Sequence, residues 1–451
     1  MTVKRRFTVS IVDEIPFCVE SAYPSLHLFY AWIFTLEGEI LRDACQKALD
    51  RTLNYYPKCR CILVNHYSSY KRWFRYQWEL TDCNAQDIFR EIEISDPDFT
   101  TTDAVAYYVN NRRDLSIDIS SHPPLKVLLI RTPKRTFLFF FFHHAVADGL
   151  GSFFFIQKFI QYYEAIFYQK DLSSNQETSL EDISAPQIPF RWNYFSFRRL
   201  SPYLRYSALF RKEPPVRLYT HESLDVPENS AACVRFISAS QLKDIRTIAK
   251  KHQATINDYL LAAAFRTVKK WAREWIGQSE RIYITVPMDL RSPEDRTLSN
   301  TLSGANIALK PELIVGTDQL LQLIRKEVSE LRNSDLARTM VYASCLLKLI
   351  PLKLRTPLLR RSVPDFAPTL LLSNMGILSP NPSHQDEEGF HYLGPARIST
   401  ILGIPNAGGW PDTLVFTYNN QMIINMSVLN SCFSQETAER FVDSFVGEIT
   451  G

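Results

Sequence analysis

An α/β protein built as two lobes is the fold class this sequence predicts, and three observations carry it. Both halves of the chain alternate short apolar runs with stretches of helical periodicity. Between the halves, residues 171–189 begin Asp171-Leu172-Ser173-Ser174-Asn175-Gln176-Glu177-Thr178 and carry Pro186 and Pro189, the punctuated, polar character of a linker. The length of 451 residues suits two large domains and excludes one small one.

Taken along the chain, Leu41, Ala44, Ala48 and Leu53 recur at helical spacing and predict a helix from Ile40 to Leu53, which Tyr55-Tyr56-Pro57 ends. Arg60 to Leu80 alternates and is rich in Tyr, Trp and Phe, which suits strands. The apolar runs Leu125 to Ile130 and Phe137 to Phe142 are joined by Thr132-Pro133-Lys134-Arg135 and predict a β-hairpin. Ile156, Phe159, Ile160, Tyr163 and Phe167 mark one face of a helix over Gly151 to Lys170. The second half opens with a strand at Val234 to Ile237 and helices at Ser240 to Lys251 and Thr255 to Trp275. Thr255 serves as N-cap of the latter, with Asp258 three residues on. A strand at Arg281 to Val286 follows. Helices at Asp318 to Leu331 and Val341 to Leu354 then alternate with strands at Thr369 to Leu372, Ala396 to Ile401, Thr413 to Tyr418 and Met422 to Leu429, and Ser434 to Gly447 closes as a helix. The expected units are a first lobe over 1–180, a basic and aromatic crossover over 181–217 and a second lobe over 218–451.

Composition narrows the function classes. Fifty-one basic residues balance 48 acidic ones, so a dedicated nucleic-acid binder is not expected. The eight cysteines are scattered, and only Cys59 and Cys61 lie close, in the wrong spacing for a C-x-x-C site; reduced thiols in a cytoplasmic protein are expected. Asp13 and Glu14 interrupt the apolar stretch after Lys4-Arg5-Arg6 before it can serve as a signal-peptide core. The strongest apolar run, Phe137 to Phe142, is far short of the roughly twenty residues of a membrane span. Aromatic residues make up 13% of the chain, which implies a bulky interior or bulky channels.

Chemistry enters directly after the Phe-rich strand, at His143-His144-Ala145-Val146-Ala147-Asp148-Gly149. Adjacent strand residues point to opposite faces, so one histidine enters a cavity while the other faces its own lobe. The spacing returns Asp148 to the same strand end, and Gly149 permits a tight or positive-φ turn there. A His-x-x-x-Asp pair could instead ligate a metal, but no third or fourth ligand sits nearby in sequence, and no metal is expected.

The segment resembles the H-H-x-x-x-D-G motif of the coenzyme-A-dependent acyltransferase superfamily, which spans chloramphenicol acetyltransferase, condensation domains and free-standing bacterial alcohol acetyltransferases, the last being the nearest likeness. Further segments agree. Thr285-Val286-Pro287-Met288-Asp289-Leu290-Arg291 resembles the V-P-x-x-x-R strand end, with Asn300 following at about the expected distance. Thr255 to Leu261 is similar to the N-D motif of wax ester synthases, although Asn257 and Asp258 fit helix capping equally well. Leu372-Ser373-Asn374-Met375-Gly376 resembles an S-N-x-G segment. The resemblance implies two chloramphenicol-acetyltransferase-like lobes with the active-site channel between them. It makes His144 and Asp148 the catalytic pair, with His144 as general base. His143, Gly149 and Arg291 support the site, Arg291 by pairing with Asp148. Ser373 or Asn374 would donate to the oxyanion. The co-substrate would be acyl-CoA or a phosphopantetheine-linked acyl group, with no bound cofactor. The acceptor would be a small-molecule or lipid alcohol and the enzyme a monomer. Amide-forming condensation, or a non-catalytic module that binds carrier proteins, stands beside this.

Two basic, aromatic or leucine-rich stretches remain. Phe190 to Arg217 reads as a crossover linker, as a dock for an acidic acyl-carrier protein or as a peripheral membrane contact. Leu346 to Arg361 reads as lining for a greasy substrate or as a plain amphipathic helix with a solvated loop.

Overall fold

The chain was studied as a computed structural model, which describes residues 5–68, 73–170, 183, 197–218, 230–272, 280–362 and 367–451. The linker expected at 171–189 and the start of the Phe190 to Arg217 stretch lie outside the described residues, apart from residue 183.

In chain order the strands of the first half are β1 (Arg6–Thr8), β2 (Phe29–Glu37), β3 (Cys61–Ser68), β4 (Trp73–Leu80), β5 (Phe89–Glu93), β6 (Leu125–Arg131) and β7 (Thr136–His143). Those of the second half are β8 (Ser230–Ile237), β9 (Ile282–Asp289), β10 (Leu302–Leu309), β11 (Leu370–Ile377), β12 (Tyr392–Leu393), β13 (Ala396–Ile404), β14 (Asp412–Tyr418) and β15 (Gln421–Leu429). They form a small sheet β1-β4-β3 and two six-stranded sheets, β12-β13-β2-β7-β6-β5 and β10-β9-β11-β14-β15-β8. Helices flank both large sheets, so the two-lobed α/β expectation holds.

The Phe-rich run is the centre of the first large sheet. Every residue of β7 is buried, because helices cover both of its faces. Phe140 and Phe142 meet Phe159 and Phe155 of the helix Gly149–Phe167, with ring centroids 5.2 and 5.5 Å apart. On the opposite face Phe141 stacks on Tyr108 of the helix Thr101–Asn110. The predicted hairpin closes on the Thr132 N–H, which donates to the Arg135 carbonyl at 2.9 Å.

Three differences from the sequence reading matter for the site. First, β12 and β13 come from the second half of the chain but pair into the first lobe's sheet, β13 running antiparallel to β2 from Arg397↔Glu37 to Ile404↔Ala31. The chain from 218 to 451 therefore serves both sheets. Second, the helix expected at Val341 to Leu354 is broken into Leu336–Cys345, a 3₁₀ turn Leu346–Leu349 and Leu352–Ser362. Pro351 explains the break, since the residue before a proline is pushed out of the helical region and Ile350 has ψ 130°. Third, a helix Ile11–Ala22, capped by Ser10, occupies the stretch in which Asp13 and Glu14 interrupt the apolar run and for which the sequence predicts no element. Both acids are buried, Glu14 paired with the buried Arg355.

Candidate active site

β7 ends at His143 and the chain turns at once. The His143 N–H donates to the Pro124 carbonyl at 3.0 Å and that of His144 to the Leu28 carbonyl at 2.8 Å, so both histidines stand on fixed backbone. Their side chains then part. His143 is fully buried; its Nδ1 accepts from the Ala145 N–H at 3.0 Å, so Nε2 carries the hydrogen and donates to Glu20 at 2.8 Å. His144 faces a cavity of about 180 Å³ between the two large sheets, with Tyr30 edge-on at 5.4 Å between centroids. Its Nδ1 is buried, which leaves Nε2 as the nitrogen that reaches the cavity. Burial pushes the His144 pKa below its ordinary 6.5, against upward pulls from its own backbone carbonyl and from Asp148. The ring is therefore a neutral base at pH 7.

Asp148 lies behind this turn, fully buried, and caps the helix Gly149–Phe167. Its Oδ1 accepts from the Gly151 N–H at 2.8 Å and from Arg291 Nη2 at 2.9 Å, and its Oδ2 accepts from the Thr301 N–H at 2.8 Å. Arg291 reaches in from just beyond β9. It also bonds the Ser299 carbonyl and Asp289, so one guanidinium ties the helix cap of the first lobe to the second.

Gly149 lies among the residues that line the cavity, but not for the reason expected. Its φ is not among the positive ones, so the turn does not demand glycine; an added Cβ would lie 3.4 Å from the Met375 sulfur. The tighter glycine is Gly151, where a Cβ would come within 3.1 Å of both Arg291 Nη2 and the Leu298 carbonyl carbon. Ser373 and Asn374 line the same cavity from β11, and the Asn374 side-chain oxygen accepts from the Gly376 N–H at 3.0 Å. Asp258 does not line it. It completes a capping box with Thr255, which accounts for Asp258 without a role at the site.

A second layer stands behind these residues, and of it sequence reasoning singles out Asn300 alone. Asn300 Nδ2 donates to the His144 carbonyl at 2.8 Å and to Asp13 at 3.0 Å, and Lys58 Nζ donates to the other Asp13 oxygen at 2.7 Å. Asp412 and Asn406 also line the cavity, from β14 and from the chain just after β13. Apart from Asn300, no local pattern marks these residues, because only the packing of distant strands and helices brings them together. Among the described residues no group of three or more His, Cys, Asp or Glu side chains could hold a metal ion.

The condensation-domain family model matches residues 21–302, well over half of the chain. The protein belongs to the condensation-domain family. Membership brings acyl-transfer or condensation chemistry as the class of activity. Solved structures agree on the fold at low identity. The first condensation domain of the calcium-dependent antibiotic synthetase, in complex with a substrate analogue, is 11% identical at TM-score 0.71, covering 99% of this chain and 96% of that one. The trichothecene 15-O-acetyltransferase of Fusarium sporotrichioides is 12% identical at TM-score 0.74, covering 99% and 94%. A mutant starter condensation domain of rhizomide synthetase, in complex with C8-CoA and Leu-SNAC, is 13% identical at TM-score 0.68, covering 99% and 94%. No curated protein matches the sequence. In this condensation-domain chain the H-H-x-x-x-D-G segment thus lies at the junction of the two sheets, and among the described residues no helix is long and apolar enough to cross a membrane.

Proposed function

We propose that the protein transfers an acyl group from a thioester, acyl-CoA or phosphopantetheine-linked, to the hydroxyl of a small-molecule or lipid alcohol. One observation carries the reading: a neutral histidine, His144, opens into a cavity lined by both lobes while Asp148 and Arg291 lock the loop beneath it. The acceptor hydroxyl attacks the thioester carbonyl as His144 Nε2 takes its proton. The resulting oxyanion takes hydrogen bonds from the Ser373 hydroxyl or from Asn374 Nδ2, whose partner oxygen is already held by Gly376. Collapse breaks the C–S bond, the imidazolium returns its proton to the departing thiolate, and ester and free thiol are released. The proposed enzyme is a cytoplasmic monomer, forms no covalent intermediate with its substrate and uses no metal.

Phe210, near the described end of the crossover, is buried against Tyr283 with ring centroids 4.6 Å apart, which favours lobe packing there over a carrier dock. Leu346, Leu349, Leu354 and Leu358 are exposed along a segment that also carries Lys353, Arg360 and Arg361, which supports a peripheral membrane contact for a lipid acceptor.

Thiol release from a panel of acyl-CoAs and acyl-pantetheines, with alcohols and amines as acceptors, tests the reading. His144→Ala should lose about 10²–10⁴ in kcat/KM with an unchanged melting temperature. Amide products alone would favour condensation chemistry. No thiol release from any donor would favour a carrier-binding module.

A further inference from the structure

The cavity holds two hydrogen-bond acceptors that the transfer chemistry does not use. Asp412 opens β14 and faces the cavity among Leu371, Leu414, Ile404 and Pro405. Among the described residues its carboxyl makes no hydrogen bond and no ion pair; even the Ser427 hydroxyl, opposite it in the β14–β15 register, stays unbonded. Asn406 lines the same cavity, and its side-chain oxygen is buried without a partner. Native proteins rarely leave buried polar atoms unpaired, so the buried Asn406 oxygen and the half-buried, unpartnered Asp412 carboxyl on one cavity point to something that fills them.

The charges around them fix the sign of that ligand. No Lys or Arg is among the described residues that line the cavity, and its other carboxylate, Asp289, is already engaged by Arg291. An amide oxygen accepts hydrogen bonds and donates none, and so does a carboxylate once a cation holds it ionised, so the complement of the pair is a cationic group rich in N–H donors. We propose that Asp412 and Asn406 form a recognition subsite for a protonated amino group on the acceptor, which makes the preferred acceptors amino alcohols. This rests on the acyl-transfer reading of the same cavity.

The subsite also bears on the choice between oxygen and nitrogen. An amine held as ammonium has no lone pair to offer a thioester, so pairing with Asp412 protects it. The hydroxyl is then the nucleophile presented to His144. Burial alone raises the Asp412 pKa from 3.8 to about 8, so without a cation beside it the carboxyl is mostly neutral at pH 7. A bound ammonium would supply the missing charge.

Calorimetric titration with 2-amino-3-phenylpropan-1-ol and 3-phenylpropan-1-ol, which differ only in the amino group, tests this at pH 7. Wild type should bind the amino alcohol about tenfold more tightly, the effect of one charge-assisted hydrogen-bonded pair. Asp412→Asn, an isosteric change whose folding is checked by its melting curve, should erase that preference, and Asn406→Ala should reduce it. His144→Ala should keep it. Equal affinity of wild type for the two probes, including no measurable binding of either, overturns the proposal, as does a preference that survives Asp412→Asn. If the preference behaves as expected while His144→Ala leaves thiol release intact, the transfer mechanism fails and the subsite stands.

Discussion

Asp148 spends its carboxylate on three fixed donors, the N–H groups of Gly151 and Thr301 and the Arg291 guanidinium, and none of them is solvent. Removing one partner of such a buried pair strands the other, at a cost of about 3–5 kcal/mol. Arg291→Ala should therefore lower the melting temperature sharply and reduce soluble yield, and a variant that melts like wild type would contradict the pair. For His144 the lowered pKa sets the sign of the pH profile. The neutral form is the active base, so kcat/KM should hold level as pH falls from 8 and drop only below the ordinary 6.5 of a histidine. Asp412 behaves in the opposite sense. With its folded pKa raised from 3.8 to about 8, the native chain holds a proton that the unfolded chain has lost throughout that window, so stability falls as pH rises across it. Asp412→Asn should melt with wild type near pH 4 and above it at pH 8.5, as thermal scans across pH would read. At this scale the sequence was legible where chemistry is local. His144, Asp148 and Arg291 stand in short motifs. Asp13, Asn406 and Asp412 are ordinary residues in ordinary surroundings, and only the pairing of distant strands and helices gives them a cavity or a partner.

Elements deliver these side chains, and small residues decide how closely they meet. The helix Gly149–Phe167 starts under Asp148 and must pass both Met375 and Arg291. A methyl group at residue 149 would meet the flexible end of a methionine, whereas one at residue 151 would press on the Arg291 guanidinium and on backbone at Leu298. Overpacking of the second kind costs about 1–3 kcal/mol. Gly151→Ala should thus lose more melting temperature than Gly149→Ala, the reverse of what the motif alone suggests; equal shifts would mean that the joint is looser than drawn. The same contrast explains which elements could be read in advance. The hairpin β6–β7 and the helix after it carry continuous apolar runs or a clear helical stripe. The helix Ile11–Ala22 hides its register because it buries Asp13 and Glu14 and holds Pro16 in its first turns, so charge lies on its inner face where a hydrophobic stripe is expected. β2 is buried along nearly its whole length, so it offers no alternation to mark it.

Over the whole molecule, β13 makes the lobes inseparable. It leaves the second half of the chain, pairs with β2 along its length, buries Ile398, Ile401, Leu402 and Ile404 in the first lobe's core, and returns through Asn406 to β14 at the cavity. A first lobe without it would expose the β2 edge as a long run of unpaired backbone groups beside apolar side chains, a surface that invites aggregation. Its site would also lose the wall that carries Asn406. The ties at the level of single residues run the same way, since Arg291 and Asn300 belong to the second half and hold Asp148, the His144 carbonyl and Asp13 in the first. Expressed alone, residues 1–218 should therefore be insoluble or lack a cooperative melt, and residues 219–451 should carry the β12–β13 pair with the β13 edge that meets β2 left open. Co-expression of the two fragments should restore a soluble one-to-one complex, read by size-exclusion chromatography, with thiol-release activity only in that complex. A soluble first fragment that melts cooperatively and releases thiol by itself would show that the crossing strand is dispensable and that the channel is the property of one lobe.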